Sequence, residues 1–247
     1  MLLRLERHGL LGHFGNVGIR GYGKTPKVYF LKKRGHAILT EERLVQEVET
    51  KSFRPINMST RWSPLMYHRL ATLDVISYIE RDCCALKSYQ LIGTLLEYRR
   101  QKVGTRWRNE TTDFVSDACL PSDRIVPDAG FALRHIASGK VALFLIEVDL
   151  GSTQLTAVHS AGATTYTDKL MLYDRYLASG RIQDRHPQLG SFSGFHLLTI
   201  TTSDQRVANM RAAASSLSHD FHRFYRFSTL QIVRQNFLHD GCASCRL

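Results

Sequence analysis

The sequence predicts an α+β protein, a mixed sheet flanked by helices, preceded by a small basic segment. Three observations lead there. Short apolar runs of strand length, Val141 to Val148 and Phe195 to Thr201, alternate with helical stripes over residues 165–178 and 204–217, the pattern of helices packed on a sheet. A stretch without period, Thr50 to Pro64, carries two prolines and several Ser/Thr and separates this region from what precedes it. Charge is also unevenly placed: of a formal net charge of +11, the first forty residues hold eight Lys or Arg against one acid, Glu6.

In chain order, Leu2, Leu3, Leu5, Leu10 and Leu11 read as an amphipathic helix closed by Gly9. Gly12 to Lys27 is a Gly-rich basic hairpin, Val28 to Leu31 a strand, and Arg34 to Leu39 the start of a second helix. Helix, basic hairpin, strand and helix read as the latter half of a winged helix; the alternative is that Gly12 to Lys27 is a solvated loop with incidental charge. In that motif the helix enters the DNA major groove and the hairpin sets cations on phosphates. The expected DNA contacts are Arg4, Arg7, Arg20, Lys24, Lys27, Lys32 and Lys33. Met1 leaves no room for the two helices that open the motif, so the segment is either truncated at its start or pairs with a second copy in a homodimer. The expected divisions are a winged-helix segment at 1–50, a linker at 51–63, an α/β domain at 64–235 and a tail at 236–247.

Within the larger domain, Leu65, Leu70, Leu73, Val75, Ile76 and Ile79 have helical spacing. Tyr89, Leu91, Ile92, Leu95, Leu96 and Tyr98 give a second helical face, closed by Arg99-Arg100-Gln101-Lys102 as cations close a helix C-terminus. Ile125 to Leu133 reads as a strand preceded by a turn, and Val141 to Val148 as a strand buried on both faces. Residues 165–178 form a helix with Leu170, Leu172, Tyr173, Tyr176 and Leu177 as its stripe. Phe195 to Thr201 is a strand, 204–217 a helix capped by Ser203 or Asp204, and Arg226 to Val233 a last strand.

Hydrophobic content of 43% and charged content of 22% exclude a disordered tail, a fibrous repeat and a disulfide mini-protein. No run approaches the roughly 18 apolar residues that cross a bilayer. Charges also interrupt the first residues too early for a secretory signal. The expectation is a soluble cytoplasmic protein with no membrane partner. A sequence pI near 9.6 points to a polyanion, with double-stranded DNA the expected partner. The five cysteines, Cys83, Cys84, Cys119, Cys242 and Cys245, make no even framework and suit a reducing compartment. Cys242-Ala-Ser-Cys245 is half a zinc knuckle without a second half, so no zinc is expected.

Three acids fall at telling places. Asp128 stands beside one strand, while Glu147 and Asp149 end the next and project together, because residues i and i+2 share a strand face. A hairpin brings Asp128 alongside them. Neighbouring carboxylates repel and favour a cation. Mg²⁺ or Mn²⁺ on Asp128, Glu147 and Asp149 is the expected ligand, and phosphodiester hydrolysis its usual purpose. Lys169, in the first turn of the next helix, would stabilise charge on the phosphate, which makes these four the candidate catalytic residues. The alternative is that the acids mark solvated strand ends, with Asp149 a turn residue before Leu150-Gly151. Two other features carry less. His219-Asp220-Phe221-His222 reads as surface. Phe221, Phe224, Tyr225 and Phe227, interleaved with Arg223 and Arg226, read as core rather than a stacking platform.

Pro127-Asp128-Ala129, Phe144 to Thr153, and Lys169-Leu170 with Tyr173 resemble the replication-relaxation family of plasmids and mobile elements. Arg4 to Leu11, Val28 to Leu31 with Arg34-Gly35, and His68-Arg69-Leu70-Ala71 extend the resemblance, in patches, from about residue 2 to about residue 212. It implies a DNA-binding winged helix joined to a restriction-endonuclease-like domain of the PD-(D/E)xK type, acting with a relaxase or replication proteins. That type carries a lysine two residues after Glu147, where this chain has Asp149. Either Lys169 replaces it from the neighbouring helix or the domain does not cut. Three functions stay open: a DNA-binding protein of plasmid or mobile-element replication, relaxation and conjugation; a metal-dependent nuclease; and a non-enzymatic interaction module.

Overall fold

A computed structural model describes residues 1–14, 18–19, 23–24, 27–42, 64–151, 153–155, 165–217 and 222–237. The chain divides into two compact units, Met1–Met66 and Tyr67–Leu247.

In the first unit, Leu2–Arg7 forms α1. The chain reverses at Gly9, whose φ of +70° only glycine adopts without strain. Leu11–His13 (β1) then pairs antiparallel with Tyr29–Leu31 (β4), so Leu11 lies in a strand rather than on the helix. Between them, Gly18–Ile19 (β2) and Gly23–Lys24 (β3) pair antiparallel. Lys33–Glu41 is α2. It packs so closely that a Cβ on Gly35 would sit 2.4 Å from the Leu10 carbonyl oxygen and 2.8 Å from Leu31 Cδ1. Arg4, Arg7, Lys27, Lys32 and Lys33 are exposed. Arg20, residues 51–63, Cys242 and Cys245 lie outside the described residues.

The second unit is built from Pro64–Ala85 (α3), which begins just inside the first, Tyr89–Leu96 (β5), Arg100–Val103 (β6), Arg106–Asn109 (β7), Asp113–Phe114 (β8) and Arg124–Ile125 (β9). Ala129–His135 (β10), Val141–Asp149 (β11), Tyr166–Ala178 (α4), Ile182–Arg185 (α5) and His196–Thr201 (β12) follow. Asp204–Ser215 (α6), Tyr225–Thr229 (β13) and Leu230–Asn236 (α7) complete it. The five-stranded sheet runs β13-β12-β11-β10-β5. Strands β11, β12 and β13 are mutually parallel, while β10 runs antiparallel to both of its neighbours. The sheet is therefore mixed, as expected.

Alternation along β11 divides the core. Phe144, Ile146 and Val148 pack with Val75, Ile76 and Ile79 of α3 and Val233 of α7. Leu143 and Leu145 pack with Leu170, Tyr173 and Tyr176 of α4 and Met210 of α6. Both faces of β11 are buried, which explains its unbroken apolar run. The helix starts follow local chemistry. Thr165 and Asp168 form a reciprocal capping box on α4, Ser203 accepts the Arg206 N–H on α6, and Thr229 accepts that of Ile232 on α7.

Four expectations are corrected. Tyr89–Leu96 is a strand, not a helix. Its register against β10 skips Ile92, with Leu91 opposite Leu133 and Gly93 opposite Ala132. That one extra residue breaks period two and lets apolar residues 89, 91, 92, 95 and 96 imitate a helical stripe. Arg99 to Lys102 accordingly closes no helix; Arg100 opens β6. Ile125 to Leu133 is split between β9 and β10 by Pro127, which cannot donate to a ladder. Arg226 to Val233 is half strand and half helix, divided where Thr229 caps α7. Among the described residues, no helix is long and apolar enough to cross a membrane.

Candidate functional site

The three acids and Lys169 meet at the end of β11. Two residues apart on one strand, Glu147 and Asp149 both face the layer of α4 and α6, and both are 7% exposed. Asp128 stands just before β10, opposite that end of β11, and its N–H donates to the Ile146 carbonyl at 2.9 Å.

Each acid has its own protein partners. Glu147 Oε2 accepts from Lys169 Nζ at 2.9 Å, and Oε1 accepts from the Tyr173 hydroxyl at 2.5 Å. Lys169 and Tyr173 are four apart on α4 and so share the helix face toward the strand. Burial pushes the Glu147 carboxyl above the usual carboxylate range, against the pull of Lys169 and the Tyr173 hydrogen bond. The Glu147 charge in turn holds Lys169 above its ordinary value. Burial, then the same carboxylate, raises Tyr173 well above the usual phenol range.

Asp149 Oδ2 accepts from Arg206 Nε, in the first turn of α6, at 2.7 Å. Its Oδ1 accepts the N–H groups of Gly151 at 3.3 Å and Thr153 at 3.4 Å. Asp149 is thus both an ion-pair partner and the turn residue that the alternative reading describes. Arg206 also donates to the Thr153 carbonyl.

Asp128 Oδ2 accepts the Val148 N–H at 2.8 Å and lies 3.2 Å from His68 Nε2 of α3. The same His68 nitrogen is 2.8 Å from the Val148 carbonyl oxygen. The hydrogen bond to Asp128 is the largest influence on His68, raising it to about 8 against the lowering by burial. The acids also share one electrostatic neighbourhood. Asp128 raises Glu147 as a neighbouring negative charge, and both Asp128 and Asp149 contribute to the rise of Lys169.

A divalent ion such as Mg²⁺ needs oxygen atoms free to converge on it in near-octahedral geometry. Here both Glu147 oxygens, both Asp149 oxygens and one Asp128 oxygen are engaged by protein donors. Among the described residues, no group of three His, Cys, Asp or Glu side chains is placed to hold a metal. In this arrangement the protein's own donors take the place that a cation would hold among the acids. What it can do is neutralise three buried or half-buried acids with cations from three helices, tying α3, α4 and α6 to the end of one strand. His68 and Arg206 escaped the sequence reading as site residues. The available signals were the match of His68-Arg69-Leu70-Ala71 to the family pattern and the position of Arg206 one turn after a capped strand-to-helix junction.

In the first unit, Arg4, Arg7, Lys27, Lys32 and Lys33 are exposed. Glu6 is itself engaged, with Oε1 2.5 Å from His13 Nδ1. The family model described as Replication-relaxation matches residues 1–190. No curated protein and no solved structure matches the chain.

Proposed function

The chain belongs to the replication-relaxation family, and from that premise we propose that it is a DNA-binding protein of plasmid or mobile-element replication and relaxation that holds duplex DNA without cutting it. The basic first unit supplies the grip, with α2 as the groove-reading helix and β2–β3 as the wing of a winged helix. The second unit is a nuclease-like scaffold that has given up metal chemistry. The mixed sheet flanked by helices, with Asp128 just before β10 and Glu147 within β11, supports that reading. The observation that carries the non-cutting reading is the pairing of every acid in the cluster with a protein cation. Asp149, where that type of nuclease has its lysine, is held by Arg206. Lys169 spends its charge on Glu147, leaving less for a phosphate. A relaxase or replication protein, at the origin of a mobile element, is the expected collaborator.

Two measurements test this. Each duplex phosphate contact contributes about 0.9 to the slope of log affinity against log salt. Replacing Lys24, Lys27, Lys32 and Lys33 together by alanine should weaken duplex binding and flatten that slope by about 3.6. An unchanged slope would remove the first unit from the interface. Supercoiled plasmid incubated with the protein and Mn²⁺ should stay supercoiled. Nicking that disappears in Glu147→Ala would establish the nuclease instead.

A further inference from the structure

We propose that the β6–β7 hairpin is a second DNA contact, one that takes unpaired bases on Trp107 and their phosphates on Arg100 and Lys102. The proposal rests on the DNA-binding reading and adds to it a strand type and a site. Register places Arg100 opposite Asn109 and Lys102 opposite Trp107. Residues directly opposite share a face, so Arg100, Lys102 and Trp107 stand together. All three are exposed, with Trp107 at 54%. Among the described residues, no carboxylate pairs with Arg100 or Lys102.

The other face of the hairpin is occupied. Gln101 donates to the Glu110 carbonyl at 3.3 Å, and the Arg108 guanidinium lies 4.9 Å from the centre of the Phe114 ring. The hairpin is thus packed on one side and leaves its indole and two cations on the other. A two-residue turn closes it, with Gly104 at a φ of +60°. Its base is held firmly. Arg185 of α5 donates to the Glu110 and Thr112 carbonyls at 3.0 Å, the Glu110 carboxylate accepts the Leu96 N–H at 2.9 Å, and Tyr176 donates to Asp113 at 2.5 Å. A site already ordered loses little freedom on binding.

Charge alone would suit any phosphate backbone. The exposed indole selects the unpaired strand, because a duplex groove offers base edges whereas a single strand offers base faces. A protein acting where strands separate would use such a hairpin to hold the opened strand.

The sequence holds two tryptophans, Trp62 and Trp107, so the full chain carrying Trp62→Phe reports on Trp107 alone. Titration with a short oligothymidylate should quench its fluorescence. Trp107→Ala should weaken oligothymidylate binding roughly 5- to 150-fold, the range expected for one lost stacking platform, and Trp107→Phe should keep most of the affinity. Arg100→Ala with Lys102→Ala should reduce the single-strand salt slope by about 1.4. Duplex affinity should be unchanged in all three variants. Duplex binding without quenching by oligothymidylate, or single-strand affinity indifferent to Trp107→Ala, overturns the hairpin while sparing the DNA-binding reading. Loss of duplex affinity alone would make the hairpin a groove-binding ribbon and also refute the proposal. A chain that binds neither form of DNA refutes the broader reading and this one with it.

Discussion

Replacing Glu147 by alanine should destabilise the second unit far more than a surface ion pair would suggest. The substitution leaves two groups without their acceptor, the Lys169 ammonium and the Tyr173 hydroxyl. Breaking a fully buried pair costs about 3–5 kcal/mol. Only the Glu147 side chain is deeply buried, at 9% exposed, whereas Lys169 is 41% exposed and can turn to water. That lowers the charge contribution to about 1–2 kcal/mol. The orphaned hydroxyl of Tyr173, itself buried, adds about 1–2 kcal/mol. A loss of about 3 kcal/mol follows. Removing all three polar groups together, as Glu147→Leu, Lys169→Met and Tyr173→Phe, should return stability to within about 1 kcal/mol of the wild type, because no group is then left unpaired. Urea unfolding of the full chain, followed by circular dichroism, measures both as midpoint shifts at constant slope. A cost below about 0.5 kcal/mol for Glu147→Ala would refute the view that this pair fastens α4 to β11. A triple variant no more stable than the single one would show that the carboxylate does something other than satisfy its neighbours.

Two further outcomes are expected. His68 is raised from 6.5 to about 8, chiefly by its hydrogen bond to Asp128. Its contribution is therefore complete below about pH 6.5 and lost as pH rises through 8. With the side chain 31% exposed, that loss should be about 1 kcal/mol, read as a fall in the urea midpoint across this window that Asp128→Asn abolishes. Gly35→Ala pushes a methyl group against the Leu10 carbonyl and should cost the first unit about 1–3 kcal/mol. The same variant should weaken duplex binding while leaving the fluorescence of Trp107 unchanged.

What could be read from the chain was what local chemistry decides. The apolar run of β11, the Ser203 cap and the stripe of α4 each announce their element within a dozen residues. Strand β5 was obscured because the extra residue, Ile92, gave a short strand the spacing of a helix. That in turn turned Arg99 to Lys102 into an apparent helix end and hid the hairpin, although Val103-Gly104-Thr105-Arg106 carries a turn glycine. The acids were legible because two of them share a strand and alternation aligns them, and Lys169 because it opens the following helix. Their remaining partners were not. Arg206 lies 57 residues from Asp149, and His68 lies 80 residues from Val148. Only the sheet order brings such residues together, and no local pattern records it.

The extra residue in β5 matters beyond its own strand. β5 ends the sheet on its side among the described residues, and a terminal strand with regular spacing is a template on which another chain can lengthen the array. The interruption at Ile92 spoils that template, since an incoming strand would have to reproduce the same offset to keep its bonds. Deleting Ile92 would restore the spacing and leave every other pair of the strand in place. Tyr89 and Leu91 would stay on the α3 side, with Leu91 opposite Leu133 and Gly93 opposite Ala132. A single deletion would thus convert a self-limiting border into an adhesive one, and the shortened protein should accumulate as sheet-rich aggregate at concentrations where the intact chain stays dispersed.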